Sequence, residues 1–252
     1  MLTYFKGMVI FVQIKITFGF EVLKLPFSYN RILQALVLKW INDKNYAGFI
    51  HEKGYSLQKR KYKLFTFSNL FGDFTIDYNK KVFKFLEKAY LLVSSHDDLF
   101  IEYVGNTLLK EKFFDIKSQK VEILNVELKK FPNVNKIRVI TKSPITVYST
   151  KIIDGKKWVN YYTPYDQEFY DLIVDNLIRK FKAYYGQYPN EKLEIKHIGK
   201  KAKERIIIYK NTVIKGWLSL FELEGDRKLL ELAFDSGLGS KNSIGFGCID
   251  IL

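Results

Sequence analysis

The chain begins with alternating apolar and polar residues, changes to helical spacing, and then returns to alternation. Met8–Phe18 predicts a first strand, because its second part alternates as a half-buried strand does. Between residues 32 and 41 apolar residues recur three and four positions apart, which predicts a helix. Asp97 and Asp98 predict the start of a second helix, since carboxylates suit the N-terminal end of the helix dipole. Strands are predicted at 63–68, 74–78, 82–86, 89–95 and 117–131. The resulting order is β-α-β-β-α-β with an inserted hairpin.

A similar order starts again after residues 131–135, where Pro132 interrupts the pattern. The longest helical pattern of the chain runs from Asp166 to Tyr185, and a short helix is predicted at 225–236. Strands are predicted at 136–141, 145–148, 158–162, 192–199, 203–209, 211–222 and 244–252. We therefore predict an α+β protein with two domains, residues 1–132 and residues 133–252, although the two halves show no sequence repeat.

The composition excludes intrinsic disorder and favours a polyanionic partner. Hydrophobic residues make up 47% of the 252 residues, which is enough for one large core or two small ones. Lys and Arg number 41 against 27 Asp and Glu, so the net charge is +14. Nucleic acid is the first candidate partner, because neutralisation of phosphates by Lys and Arg drives its binding. The alternative is a lysine-rich, solvated surface.

Cysteine content and hydropathy indicate the cell compartment. The single cysteine, Cys248, permits neither an internal disulfide nor a thiolate metal site. A reducing cytoplasm is the natural interpretation. No apolar run approaches the roughly 20 residues that a membrane helix requires, so no membrane partner is predicted.

Glycine is concentrated in residues 237–247, which we call the glycine-rich loop. Glycine permits positive φ angles and close backbone approach, and successive free N–H groups can bind an anion. Lys241 and Asn242 add a cation and a donor at its tip. The loop follows a helix and precedes a strand, so it is not a phosphate-binding P-loop, which has the opposite order. The alternative interpretation is a tight connection with a bulge. The four glycines of the loop are Gly237, Gly239, Gly245 and Gly247.

The loop resembles the signature of the CRISPR-associated repeat-processing endoribonucleases, which belong to the RAMP superfamily. That signature is Gly-x-Gly, a spacer, and Gly-hydrophobic-Gly before the last strand, as in residues 237–239 and 245–247. Four other stretches are similar to this family, so that the resemblance covers nearly the whole chain: residues 25–30, 63–68, 143–147 and 216–217. The resemblance implies two tandem ferredoxin-like domains, which agrees with the order of elements above.

The same resemblance implies an activity and a set of partners. It implies cleavage of CRISPR precursor RNA within the repeat, without metal or other cofactor, by attack of a 2′-OH. The products would be a 2′,3′-cyclic phosphate and a 5′-OH. The repeat RNA is the predicted partner of a monomer or dimer, with a CRISPR effector complex as a possible further partner. Two alternatives stay open: a non-catalytic RAMP-type RNA-binding subunit of an effector complex, and an RNA-associated protein with no CRISPR role.

Metal-free RNA cleavage requires a base, an acid and a cation, and histidine suits the first two roles near neutral pH. The chain has three histidines, no His-x-x-x-His pair and no close cluster of carboxylates, so no metal site is predicted. His51 stands in a hydrophobic-His-Glu context like that of the family's catalytic histidine. We interpret His96 as a loop or helix-cap residue and His197 as part of a lysine-rich strand.

The resemblance also implies partners for His51. The family's lysine position matches Lys63, just before Leu-Phe-Thr. The tyrosine that some members carry on the first long helix falls near Leu38 and is therefore absent. Tyr29 and Tyr46 are nearby substitutes that do not align well, and Tyr46 is taken as the catalytic candidate.

Two basic runs are predicted to contact RNA phosphates. The first follows His51 and has tyrosines interleaved with its cations, which suits phosphates and unstacked bases. It contains Lys59, Arg60 and Lys61. The second surrounds the predicted strand at 203–209 and contains Lys200, Lys201, Lys203 and Arg205. The alternatives are a solvated loop for the first run and a charged edge strand, protected from aggregation, for the second.

Overall fold

The structure is a computed structural model that describes residues 12–252. Residues 8–11 of the predicted first strand therefore lie outside the described residues. No helix in the described part of the chain is long and apolar enough to cross a membrane.

The first half of the described chain builds one antiparallel sheet with helices packed on it. Its elements are β1 (Val12–Pro26), α1 (Asn30–Lys39), α2 (Lys44–Gly48), β2 (Tyr55–Leu57), β3 (Arg60–Tyr62), β4 (Phe65–Phe67), β5 (Phe71–Asp77), β6 (Val82–Ser95), α3 (Asp98–Lys110), β7 (Phe113–Ile116) and β8 (Gln119–Lys130). The sheet runs in the order β8–β1–β6–β4, with β7 on the outer side of β8 and β5 also on β6. The strand predicted at 117–131 begins later, because Lys117 and Ser118 take positive φ angles in the β7–β8 turn.

The second half builds a four-stranded sheet and two separate hairpins. Its elements are β9 (Lys136–Thr141), β10 (Tyr148–Ile153), β11 (Lys156–Tyr161), α4 (Gln167–Tyr185), β12 (Leu193–His197), β13 (Lys203–Tyr209), β14 (Thr212–Leu218), β15 (Leu220–Gly225), α5 (Arg227–Ser236) and β16 (Ile249–Ile251). The sheet order is β12–β15–β9–β16, while β10 pairs with β11 and β13 pairs with β14. The single strand predicted at 211–222 is wrong, because the chain leaves the β13–β14 hairpin at Ser219 and then joins the sheet. The backbone N–H of Ser219 donates to Thr141 Oγ1 there (2.9 Å).

Helical periodicity explains how the helices attach to the sheets. On α4 the residues Phe169, Ile173, Leu177 and Phe181 are all buried and recur every four positions, which gives one continuous apolar face. Burial of each such side chain contributes roughly 1.5–3 kcal/mol. The N-terminus of α3 is capped as predicted, since Asp97 accepts a hydrogen bond from Leu99 N (3.1 Å).

Both sheets have the connectivity of a ferredoxin-like fold. The strand order is β8–β1–β6–β4 in the first domain and β16–β9–β15–β12 in the second. In both, the first and third strands of the β-α-β-β-α-β unit lie in the centre, and its last strand lies beside its first. This confirms the predicted pair of tandem ferredoxin-like domains. The predicted boundary after residue 132 falls between β8, which ends at Lys130, and β9, which begins at Lys136.

Candidate functional site

His51 lies on a π-helical turn at the end of helix α2. Helix α2 continues directly into a π-helical turn, Phe49–Lys53, in which Ile50 is buried and His51 is exposed. Gly54 ends the turn at φ 61°, where an added Cβ would lie 2.5 Å from the carbonyl oxygen of Tyr62. A side chain at this position would clash with the backbone of Tyr62, so the turn ends at a glycine.

Lys63 is bound to the same turn. Its Nζ donates to the carbonyl oxygen of His51 (2.8 Å), and Lys61 Nζ donates to that of Glu52 (3.0 Å). Burial lowers the pKa of Lys63, and the nearby charges of Lys210 and Lys61 lower it further. The structure thus places the predicted lysine on the turn that carries the predicted histidine. A bound anion would stabilise the charged form of this lysine.

Tyr46, the catalytic candidate from the sequence, lies in the interior of the first domain. Its ring is buried, and its hydroxyl donates to Asp97 Oδ2 (2.6 Å), which also accepts from Tyr55 (2.7 Å). Burial raises the pKa of Tyr46 far above its usual range, and the adjacent Asp97 carboxylate adds to this. Because the hydroxyl is committed to Asp97, we leave Tyr46 out of the proposed catalytic groups. Tyr29 is also buried, and its hydroxyl accepts from Leu70 N (3.3 Å).

Strands β2 and β3 form a hairpin, which we call the basic hairpin (residues 55–62). Lys59 and Arg60 lie at its tip and Lys61 follows, all of them exposed. None of these three cations forms an ion pair with a described residue. Tyr62 packs in the core of the second domain, so the hairpin carries its cations from the first domain onto the second.

The glycine-rich loop is buried, and this corrects the predicted cradle of free amides. All four of its glycines are buried at positive φ. Gly237 N donates to Ala233 O, Gly245 N to Asn242 O and Gly247 N to Pro144 O, at 2.8–3.0 Å. These three amides cannot bind an anion. Gly239 packs closely on one side, because a Cβ added there would lie 2.7 Å from the carbonyl oxygen of Thr146, and it also lines a cavity with Arg60.

The same loop joins the two domains. Three side chains of the first domain donate to its carbonyl oxygens: Asn30 to Ile244 (3.1 Å), Gln34 to Ser243 (2.9 Å) and Thr66 to Phe246 (2.9 Å). Gly245 faces the ring of Phe67, also from the first domain. The concentration of glycine therefore serves close packing between the domains.

Lys180 was missed by sequence reasoning. It lies on α4 and is only 3% exposed. Its Nζ donates to Gly237 O (2.7 Å), to Asn242 Oδ1 (2.8 Å) and to both oxygens of Ser236 (3.2 Å each). Burial lowers the pKa of Lys180 to about 7. A signal was present, because a lysine three residues after the buried Leu177 stands on the apolar face of the helix.

A cavity of about 220 Å³ lies between the basic hairpin, α4 and the glycine-rich loop. We call it the lysine cavity. Four lysines line it, together with asparagine, serine and apolar residues: Lys61, Tyr62, Lys63, Leu64, Phe65, Asn176, Lys180, Ser236, Ser240, Lys241, Asn242 and Ser243. Among the described residues that line it, none is acidic. Predicted RNA contacts from the hairpin and from the loop tip thus meet at one positively charged surface.

The family of the chain follows from sequence comparison. A sequence model described as CRISPR associated protein Cas6, C-terminal matches residues 125–251, which is half of the 252-residue chain. The chain belongs to the Cas6 family. The matched region of this Cas6 chain includes α4 with Lys180 and the whole glycine-rich loop.

Relatives of this Cas6 chain extend over most of its length. The CRISPR-associated endoribonuclease Cas6 2 of Methanocaldococcus jannaschii is 29% identical over 251 residues, covering 90% of this chain and 95% of the relative. The CRISPR-associated endoribonuclease Cas6 of Pyrococcus furiosus is 29% identical over 234 residues, covering 90% and 84%.

Solved structures agree on the fold. A Cas6-related protein from Pyrococcus furiosus superimposes with a TM-score of 0.81 at 22% identity, covering 96% of this chain and 98% of that one. A RAMP protein that binds different RNA substrates superimposes with a TM-score of 0.78 at 20% identity, covering 96% and 99%. At these identities the likeness concerns the two-domain fold.

The second basic run of this Cas6 protein does not reach the lysine cavity. Lys200, Lys201, Lys203 and Arg205 are all exposed, and the first two line a separate pocket beside Leu220. Strand β13 is seven residues long, so Lys203 lies roughly 20 Å from the other end of its hairpin. That other end carries Lys210, whose charge acts on Lys63.

The two other histidines contact other side chains, His96 in the interior and His197 at a partly buried position. His96 lies between the domains, with Nδ1 2.9 Å from Asp235 Oδ2 and Nε2 2.8 Å from the Tyr185 hydroxyl. It therefore does more than the predicted loop or cap role. Burial is the main cause that lowers the pKa of His96, to about 3. His197 Nε2 lies 2.6 Å from Ser219 Oγ.

Among the described residues, no group of three or more His, Cys, Asp or Glu side chains is placed to hold a metal ion.

Proposed function

We propose that this Cas6 protein is an endoribonuclease that cuts CRISPR precursor RNA within the repeat by attack of a 2′-OH. The observation that carries the proposal is the exposed imidazole of His51, on a turn bound by Lys63, beside a cavity lined by four lysines. The names of the curated relatives, which are CRISPR-associated endoribonucleases, support the same activity.

In the proposed reaction the neutral imidazole of His51 accepts the proton of the 2′-OH. The 2′ oxygen then attacks the adjacent phosphorus, and the bond from phosphorus to the 5′ oxygen breaks. The protonated His51 then gives its proton to that leaving oxygen, so the products are a 2′,3′-cyclic phosphate and a 5′-OH. Lys63 supplies positive charge for the phosphorane. Its lowered pKa reflects burial and neighbouring cations, and a phosphate beside it would offset both.

The first expected result is cleavage in the presence of EDTA. Each step above uses only the 2′-OH and protein groups, so a chelator is expected to leave the rate unchanged. The measurement is gel analysis of repeat RNA incubated with the protein, with and without EDTA. The same RNA with a 2′-deoxy nucleotide at the cut site serves as the control and is expected to bind but stay intact. A strict requirement for a divalent ion would rule out the mechanism.

One observation favours a second candidate function. The family's helix tyrosine falls at Leu38, and the hydroxyls of both Tyr29 and Tyr46 are engaged in the interior. A chain without that tyrosine would also suit a non-catalytic RNA-binding subunit of an effector complex. Repeat RNA that binds tightly and stays intact under every ionic condition would support this candidate.

The second expected result concerns the basic hairpin. Replacing Lys59, Arg60 and Lys61 together with glutamine is expected to reduce the slope of log affinity against log salt by about 2, since each lost phosphate contact on single-stranded RNA contributes about 0.7. The measurement is repeat RNA binding over a range of salt concentrations. An unchanged slope would show that these cations do not contact phosphates and belong to a solvated loop.

A matched variant tests the second basic run in the same way. Replacing Lys200, Lys201, Lys203 and Arg205 with glutamine removes a similar charge far from the lysine cavity. We expect a reduced slope here too, because the second domain offers these exposed cations to a long RNA. If only the hairpin variant changes the slope, the second run acts as a charged edge strand instead.

Partners beyond the RNA follow from the proposed activity. We propose a CRISPR effector complex, which would take up the processed RNA, as a further partner and the cytoplasm as the place of action. Whether the protein acts as a monomer or a dimer stays a prediction.

A further inference from the structure

The ammonium group of Lys180 is a buried cation without a carboxylate. Within the described residues its hydrogen bonds go to four neutral oxygens, those of Ser236, Gly237 and Asn242. Buried charges in proteins are normally paired with an opposite charge. The hydrogen bonds hold the group in place, but they leave its charge uncompensated.

The other walls of the lysine cavity add positive charge. Lys61 and Lys63 come from the basic hairpin and Lys241 from the glycine-rich loop. Burial and like charges lower the pKa of Lys63, and burial lowers that of Lys180 to about 7. All four lysines would gain from an anion in the cavity.

Two polar atoms of the cavity's lining residues lack a hydrogen-bond partner among the described residues. They are the hydroxyl of Tyr62, which can donate to an anion, and Oδ1 of Asn176, which is an acceptor and does not favour one. Tyr62 is only 8% exposed, so its hydroxyl has lost water without gaining a partner. The cavity of about 220 Å³ is several times the roughly 30 Å³ that one water occupies in the liquid. It has room for a phosphate group.

We propose that the lysine cavity is a phosphate-binding site in which the charges of Lys180 and Lys241 hold one phosphate group of the repeat RNA. Lys63 is bound to the His51 turn and serves the phosphate that is cut, whereas His51 does not line the cavity, so Lys180 and Lys241 hold a neighbouring phosphate. The inference rests on the proposed function only for the source of the phosphate, which is the RNA. The four lysines of the cavity and its lack of an acidic lining residue favour a phosphate group whatever its source.

The test compares Lys180→Met with Lys182→Met. Both variants remove one lysine charge from α4, but Lys182 lies over the ring of Tyr188 (3.8 Å) and does not line the cavity. The first measurement is the thermal midpoint in inorganic phosphate and in chloride at equal ionic strength. Phosphate is expected to raise the midpoint of the wild type and of Lys182→Met, but not that of Lys180→Met.

The second measurement is affinity for repeat RNA at fixed salt. Loss of a buried positive charge beside the phosphate is expected to weaken RNA binding about tenfold to a hundredfold in Lys180→Met, and RNA binding by Lys182→Met is expected to stay unchanged. Lys241→Asn covers the case in which Lys180→Met does not fold, since Lys241 lies at the rim with φ 62°, which asparagine tolerates. It is expected to lose the phosphate response and to weaken RNA binding as well.

Each outcome decides one point. An equal response to phosphate and chloride in the wild type overturns the site. A phosphate response that the cavity variants lose, with RNA affinity unchanged, shows a site for free phosphate and overturns the RNA assignment. If the wild type cuts RNA while the cavity variants behave like it in both measurements, the inference fails and the proposed function stands. If the wild type never cuts RNA but the variants lose both responses, the site stands and the proposed activity fails.

Discussion

Replacing His51 with alanine is expected to lower the rate of repeat RNA cleavage by about 10²–10⁴-fold, the range for loss of one general acid–base group. Affinity for the RNA is expected to change little, because a neutral imidazole displaces no counterion. The structure supports this separation of rate from affinity, since His51 is exposed and its backbone, rather than its ring, receives the hydrogen bond of Lys63. The measurement is single-turnover cleavage together with equilibrium binding.

Two variants serve as comparisons for His51→Ala. Lys63→Ala is expected to cost less in rate and to lower rate and affinity together, since a cation beside a phosphate acts in both the bound and the transition state. His197→Ala is expected to cut near the wild-type rate, because its ring lies against Ser219, outside the lysine cavity. Wild-type cleavage by His51→Ala would show that the catalytic assignment is wrong.

Replacing Gly245 with valine is expected to destabilise the protein by about 2–6 kcal/mol, from overpacking and from backbone strain together. A Cβ at this position would lie 2.5 Å from the ring of Phe67 and 2.8 Å from Asn30 Nδ2, and the φ angle of 86° is one that branched residues avoid. Both neighbours belong to the first domain, so the strain would act on the joint between domains. The measurement is the free energy of unfolding in denaturant.

A glycine elsewhere supplies the matched control for Gly245→Val. Gly48 has φ −61° and nothing within 4 Å of an added Cβ. Gly48→Ala is therefore expected to be neutral or to stabilise the protein by up to about 1 kcal/mol. RNA affinity is expected to fall in Gly245→Val only as the fold is lost. Unchanged stability with lost affinity would instead support the direct RNA contact that the sequence suggested.

Local patterns in the sequence determined the order of elements and one side of the site. Apolar spacing placed the helices, and the hydrophobic-His-Glu context singled out His51, which the structure leaves exposed. These signals are readable because they depend on neighbours a few residues away. The doubled β-α-β-β-α-β order, which agrees with both observed sheets, followed from the same patterns.

Tertiary structure alone decided how the remaining residues are used. Tyr46 is bound by Asp97, 51 residues further along the chain, and the glycine-rich loop is bound by Asn30, more than 200 residues earlier. Lys180 Nζ donates to the carbonyl oxygen of Gly237, the first residue of the glycine-rich loop, 57 residues further along the chain. The sequence could show that a glycine permits close approach or that a lysine interrupts an apolar face. It could not show what lies opposite, because hydrogen bonding and burial depend on which distant segments the two folded domains place in contact.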